Sequence, residues 1–317
     1  MIRTRFTDLF SLDYPLMSAP MAEHSSGTIA AAVSASGALG SFGGINSKEP
    51  PEWVLAQAEF VRDRTQRPFA IGFITAFVEY MGRHFDAALE ARPDAIALSF
   101  GDPGECGRRV KEAGIRLICQ VQTFADAEAA VASGADVIVA QGTEAGGHTG
   151  TMTLLPLLAG LADAFPDVPL LAAGGIGDGR TLAAALMAGA DGGWLGTAFL
   201  ATSEAVDIGQ EHKEAIVASD GADTVFTRAY DIHSGLPWPS GIGERVRRDA
   251  FTDEWSGRES DLGAIREQVS PASAPLLYGQ SARFVREVRP AADVVSTISR
   301  DAEAILRTRP DTLVYRT

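Results

Sequence analysis

The chain has 317 residues, 46% of them apolar, with 27 lysines and arginines against 41 aspartates and glutamates, a formal charge of −14. That length exceeds one ordinary small domain and suits a barrel with an insertion. The negative charge argues against a nucleic-acid or anionic-membrane partner, whose phosphates it repels.

No run approaches about 18 uncharged apolar residues, so no helical membrane span is expected. Cys106 and Cys119 make neither a disulfide framework nor a metal-binding spacing, and read as small core residues in a reducing compartment. The N-terminal MIRTRFTDLFSLDYP lacks the apolar stretch of a signal peptide. A cytoplasmic location is the expectation.

Short apolar runs recur along the first two-thirds of the chain: Leu16–Ala19, Ala38–Ser41, Phe69–Phe73, Ala95–Ser99, Arg116–Val121, Val137–Ala140, Leu170–Ala173 and Gly193–Leu195. Each is followed by Gly or polar punctuation and a helical pattern. Their starts lie roughly 20 to 35 residues apart, the length a strand, loop and crossover helix require. Near-continuous hydrophobicity suits parallel strands covered by helices. The segments 127–142 and 182–197 echo one another as helix, Gly-Ala-Asp turn and buried strand, and 30–44 is a looser copy. In the three copies Gly134, Gly189 and Gly37 suit the left-handed position after a helix. Eight such units predict an α/β fold, a (β/α)8 TIM barrel, with a doubly wound open sheet as the alternative.

Polar and glycine-rich segments fall at the strand ends, where a barrel carries its chemistry. After the first strand, Ala19, Pro20 and Met21 would set backbone and a soft apolar surface against a planar ring, or simply leave the core. His24 follows, as a secondary candidate or a surface residue. The fourth and fifth strands end in Ser99 and Gln120, the latter able both to donate and to accept. After the sixth comes AQGTEAGGHTG, residues 140–150. There Gly146 and Gly147 bring His148 over the barrel mouth as a base, acid or donor. A loop histidine that only bonds backbone is the alternative. Glu144 either orients this loop or is solvated. The last two strands are followed by AAGGIGDGR (172–180) and LGTAFL (195–200). Gly174, Gly175, Gly196 and Thr197 would hold a phosphate there through amides and a hydroxyl, with Asp178 capping the next helix. Tight turns alone are the competing reading. His84, His212 and His233 fall in helical or insertion segments and read as structural, and no metal site is expected.

After Leu200 the rhythm breaks. Residues 203–275 read as a small, mostly helical lid inserted after the eighth strand, with a helix near Glu211–Ser219 and the stretch HSGLPWPSGIG. Within it Trp238 is either a lid contact to substrate or a packing anchor. The barrel is thus assigned to 1–202 and 276–317. Its closing helix would place Val288, Val294, Val295, Ile298, Ala302 and Ile305 on one face.

The motifs PLMSAPMA, AQGTEAGGHTG, AAGGIGDGR with GADGGWLGTAFLAT, HKEAIVASDGADTVFTRAY and YGQSARFVREVRPAADVV span nearly the whole chain. In these the sequence resembles the nitronate monooxygenase (2-nitropropane dioxygenase-like) family. The resemblance implies non-covalent FMN in a TIM barrel with a small lid, and His148 as the active-site histidine. It also implies that Gly147, Gly175, Gly196 and Thr197 hold the FMN phosphate or ring. Gln120 would then meet the flavin's pyrimidine edge. Two segments depart from the family pattern: FAIGFIT lacks a following asparagine, and Glu23-His24-Ser25 replaces a small Gly/Thr run. The reaction implied is the oxidation of alkyl nitronates by O2 to a carbonyl compound and nitrite. An FMN-dependent NAD(P)H reductase, acting on quinones or enoyl-acyl-carrier proteins, is the alternative. A phosphate-binding isomerase or a binding protein without turnover is a third reading. The partners expected are a small-molecule substrate and O2, with NAD(P)H and a homo-oligomer left open.

Overall fold

The computed structural model describes residues 1–313, so the last four residues of the expected barrel portion lie outside the described residues. Eleven strands follow in chain order: β1 (Leu16–Ser18), β2 (Gly40–Gly43), β3 (Phe69–Ile74), β4 (Ala95–Ser99), β5 (Arg116–Val121), β6 (Val137–Gln141), β7 (Gly147–Thr149), β8 (Leu170–Ala173), β9 (Gly192–Leu195), β10 (Thr224–Thr227) and β11 (Gly243–Arg247). Eight of them form a parallel sheet in the order β1-β9-β8-β6-β5-β4-β3-β2. A parallel bridge between Met17 and Leu39 joins its two edges, and the Ser41 amide donates to Ser18 Oγ at 2.8 Å. The sheet therefore closes, and the fold is a (β/α)8 barrel.

Alternation along the strands explains the unbroken apolar runs. Val137 and Val139 join Ala95, Ala97, Ile118, Leu171 and Trp194 inside the barrel, while Ile138 and Ala140 pack outward under the helices. The second strand begins at Gly40, two residues later than the hydrophobic run suggests. A Cβ at Gly40 would lie 1.9 Å from the Ala30 carbonyl oxygen, so only glycine lets the strand pass beneath helix Gly27–Ala35. Gly37, Gly134 and Gly189 all have positive φ (90°, 81° and 105°), as their place after helices requires.

Helix Arg5–Phe10 plugs the N-terminal end of the barrel with Phe6 and Phe10. Asp191, 7% exposed, locks that plug: it accepts from Arg5 Nη2 at 2.6 Å and from the Leu170 amide at 3.0 Å. Asp191→Ala would strand both donors and is expected to lower unfolding free energy by about 2–3 kcal/mol in urea melts. A change below about 0.5 kcal/mol would refute that role.

The insertion carries helices Gln210–Ala218, Ala229–Ser234, Ala250–Trp255 and Glu259–Ile265, and a small core of Tyr230, Val246, Phe251, Trp255 and Leu262. It also supplies β10 and β11, which pair with β7 in an antiparallel sheet, β10-β11-β7. Nothing in the apolar pattern signals that sheet. Helix Ala291–Leu313 closes the barrel, where a Cβ at Gly179 would lie 2.4 Å from Asp301 Cβ. Val294, Val295, Ile298 and Ala302 are buried in it, and Ile305 packs partly against the core. Val288 precedes the helix and is 39% exposed, so it does not belong to the apolar face. No helix among the described residues is long and apolar enough to cross a membrane.

Candidate active site

The ends of the barrel strands open into one cleft of about 1100 Å³, its mouth included. It is lined by Ala19, Pro20, Met21, Ser99, Gln120, Gly146, Gly147, His148, Gly174, Gly196 and Thr197. Gly175 belongs to the same turn, with φ +71°, but does not reach the cleft wall. His24 does reach it, half-buried, with Nδ1 2.9 Å from the Ala22 carbonyl oxygen, so the surface reading gives way. His84, His212 and His233 each bond a backbone carbonyl (Glu49, Leu277 and Val269) and are structural. Burial pushes the Cys119 thiol up to about 12, which keeps it unreactive in the core.

Close backbone approaches build the cleft. Pro20 sits against β3 at Gly72, where a Cβ would meet Pro20 Cγ at 2.2 Å. A Cβ on Gly146 would lie 2.3 Å from the Gly279 amide nitrogen, so the glycine-histidine loop leans on the segment before the last helix. Thr197 Oγ1 accepts from that same amide at 3.0 Å. Gly174 has φ +93°, and a Cβ there would stand 2.9 Å from the Gly142 carbonyl oxygen. The turns after β6, β8 and β9 thus converge. Asp178 caps helix Gly179–Met187 through the Thr181 amide at 2.9 Å. The glycine turn at Gly174 and Gly175 lies just before that capped helix.

His148 is held from several sides. Its backbone oxygen accepts from Gln141 Nε2 at 2.9 Å, and Gln122 Nε2 in turn donates to Gln141 Oε1 at 2.9 Å. Glu144 accepts from the Leu154 amide at 3.1 Å and so orients the loop. The imidazole stacks on Trp238, centroids 3.5 Å apart and planes 14° apart. Trp238 also packs edge-on against Phe77 and Phe100, so it is both packing anchor and cleft wall. Phe100 takes φ +62°, a conformation costing about 1–3 kcal/mol for a non-glycine residue, and this aromatic cluster holds it there.

Two acidic residues complete the arrangement, and sequence reasoning missed both. Asp231 Oδ1 lies 2.9 Å from His148 Nε2, and Asp231 is 4% exposed. Glu244 on β11 is paired in register with His148 on β7. Burial, reinforced by the Asp231 charge, pushes the Glu244 carboxyl up to about 8. One signal was available for Asp231: a histidine base needs an orienting group, and this carboxylate adjoins the Gly/Pro/Trp stretch. Glu244 has no local signature. Among the described residues, His148, Asp231 and Glu244 are the group whose donor atoms converge, within 4.8 Å of one another.

Comparison with known proteins gives a consistent result. The family model described as nitronate monooxygenase matches residues 74–301. A probable nitronate monooxygenase of Staphylococcus aureus (strain MSSA476) is 28% identical, covering 96% of this chain and 99% of its own. The structure of FabK from Thermotoga maritima superposes with a TM-score of 0.85 at 28% identity, over 99% of this chain and all of that one. The nitroalkane oxidase of Streptomyces ansochromogenes gives 0.78 at 29% identity, over 96% and 99%.

Proposed function

The chain belongs to the nitronate monooxygenase family, and on that premise we propose that it is an FMN-dependent oxidoreductase that oxidises alkyl nitronates with O2. The overall balance is two nitronate ions and one O2 giving two carbonyl compounds and two nitrite ions. The single observation that carries this reading is His148, fixed by a buried carboxylate at the wall of a glycine-lined cleft.

The residues present fit a flavin mononucleotide. Gly146, Gly174 and Gly196 line the cleft where side chains would narrow it, and Ser99, Gln120 and Gln141 present polar groups at its base. Gly174, Gly196 and Thr197 would hold the phosphate, with Gly175 shaping the turn; Ala19, Pro20, Met21, Gly147 and Gln120 would face the ring. The bound flavin supplies the electron acceptor and the site of oxygen chemistry. As an imidazolium, with Nε2–H on Asp231, His148 would donate its Nδ1–H to a nitro oxygen of the substrate anion; the neutral ring serves the other substrate form. With the Nε2 proton donated to Asp231, the Nδ1 lone pair is free, and it is the group that would take the α-proton of a neutral nitroalkane. Trp238 and Phe100 exclude water from one side of the imidazole. We read residues 203–275 as the lid, and 1–202 with 276–317 as the barrel.

Aerobic assay of purified protein with an alkyl nitronate tests the reaction: oxygen uptake with two nitrite ions formed per O2 consumed is expected. Flavin-loaded protein that produces neither would overturn it. The close superposition on FabK favours a second reading, reduction of the flavin by NAD(P)H. Rapid anaerobic bleaching of the bound flavin by NADH or NADPH would support that instead.

Gly174→Val tests the anion site. The new side chain must enter a positive-φ turn against backbone, at a cost of about 1–3 kcal/mol. If that strain falls on the flavin-loaded form, affinity drops about 10–100-fold. Absorbance of dialysed protein and a flavin titration would show it. Undiminished flavin retention would move the phosphate elsewhere.

A further inference from the structure

Behind the histidine lies a second carboxyl whose surroundings do not suit a charge. Glu244 is 3% exposed and Asp231 4%. Asp231 gives Oδ1 to His148, but its Oδ2 and Glu244 Oε1 are buried without a hydrogen-bond partner. Among the described residues, neither carboxyl has a lysine or arginine nitrogen within ion-pairing distance; the one ionic partner is His148. Two buried carboxylates side by side repel one another and leave two acceptors without donors. A single proton between them removes one charge and supplies the missing donor.

We propose that Glu244 is a positioning residue whose carboxyl shares one proton with Asp231, so that the pair carries one negative charge and holds Asp231 toward His148 Nε2. The proposal rests on the reading of His148 as the catalytic imidazole. Several groups surround Glu244. On β7 it faces His148. Helix Ala229–Ser234 contributes Tyr230 and Asp231, and Arg228 precedes that helix. On its own strand Arg245 points to the other face, where Nε donates to the Thr143 carbonyl at 2.7 Å, and Arg247 lies three residues on. Burial is the largest influence on Glu244, and the charge of Asp231 adds to it. Hydrogen bonds from the Tyr230 and Asp231 amides act the other way and are outweighed.

The sign of the pH dependence follows. The carboxyl rises from 4.5 in the unfolded chain to about 8 in the folded one. Its stabilising proton is therefore fully present below 4.5 and lost as pH rises through about 8. Wild-type Tm is expected to fall relative to that of Glu244→Gln across this interval; parallel Tm curves would overturn the proposal.

Difference infrared spectra, recorded between about pH 6 and about pH 9, read the proton directly and do not depend on substrate. A protonated-carboxyl band that titrates near 8 in the wild type and is absent from Glu244→Gln is expected. Absence of the band from wild type, or its persistence in the variant, would overturn the proposal. So would metal analysis finding one divalent ion per chain that Asp231→Asn releases. Should Glu244→Gln fail to fold, Asp231→Asn serves: with its charged neighbour gone, the band must titrate lower, and an unmoved band refutes the pairing. In turnover, kcat/KM normalised to its own maximum should fall above about pH 8 in wild type and not in Glu244→Gln. A protein inactive on nitronates yet showing the infrared band would reject the activity and leave the proton pair standing.

Discussion

His148→Asn is expected to lower kcat by about 10²–10⁴-fold, the usual contribution of a positioned acid or base, while the protein stays folded and keeps its flavin. Asparagine retains a donor at the cleft wall but has no lone pair of suitable basicity. The loss should therefore depend on the substrate. A preformed nitronate needs only the hydrogen bond to its nitro group, whereas a neutral nitroalkane must first lose its α-proton. The neutral substrate is expected to suffer about tenfold more, within the range of one general-base step. Steady-state kinetics with both substrates, alongside flavin content and circular dichroism, measure this. Equal and small losses would return the imidazole to a purely structural role as the stacking partner of Trp238.

Asp231→Asn should come next in severity, at about 10²–10⁴-fold in kcat, by a different route. The carboxylate can only accept from the imidazole, which places the proton on Nε2. An asparagine amide can also donate, which allows the proton to sit on Nδ1 and closes the one lone pair left for chemistry. Volume hardly changes, but a buried charge-assisted hydrogen bond is weakened, so unfolding free energy should fall by about 1–3 kcal/mol while the fold is kept. KM for a neutral nitroalkane should stay near wild type while its kcat falls, and a preformed nitronate should lose less. A rise in KM with kcat intact would assign Asp231 to binding rather than to the imidazole. In the double variant with His148→Asn the two losses should not add, since the carboxylate acts through the ring.

The barrel was readable in the chain because strands buried on both faces need apolar residues at nearly every position. Runs such as Val137–Ala140 and Leu170–Ala173 therefore stand out against the helices. The glycine turns were readable for a related reason: positive φ and close backbone contact leave little choice of residue, as at Gly174. The acidic pair was not. Asp231 lies 83 residues from the histidine it holds, and Glu244 reaches the site through β7, a three-residue strand of Gly-His-Thr with no apolar alternation. Trp238 was legible as an aromatic between prolines, yet its stack on the imidazole depends on where the insertion folds back.

That folding back has a consequence for the working cycle. Because β11 is hydrogen-bonded to the very strand that bears His148, and Asp231 and Trp238 come from the same insertion, the aromatic wall of the cleft and the acceptor of the imidazole proton belong to one part. A displacement of that insertion would part the imidazole from Asp231. Access to the cleft and the poise of the imidazole are thus tied to the same stretch of chain.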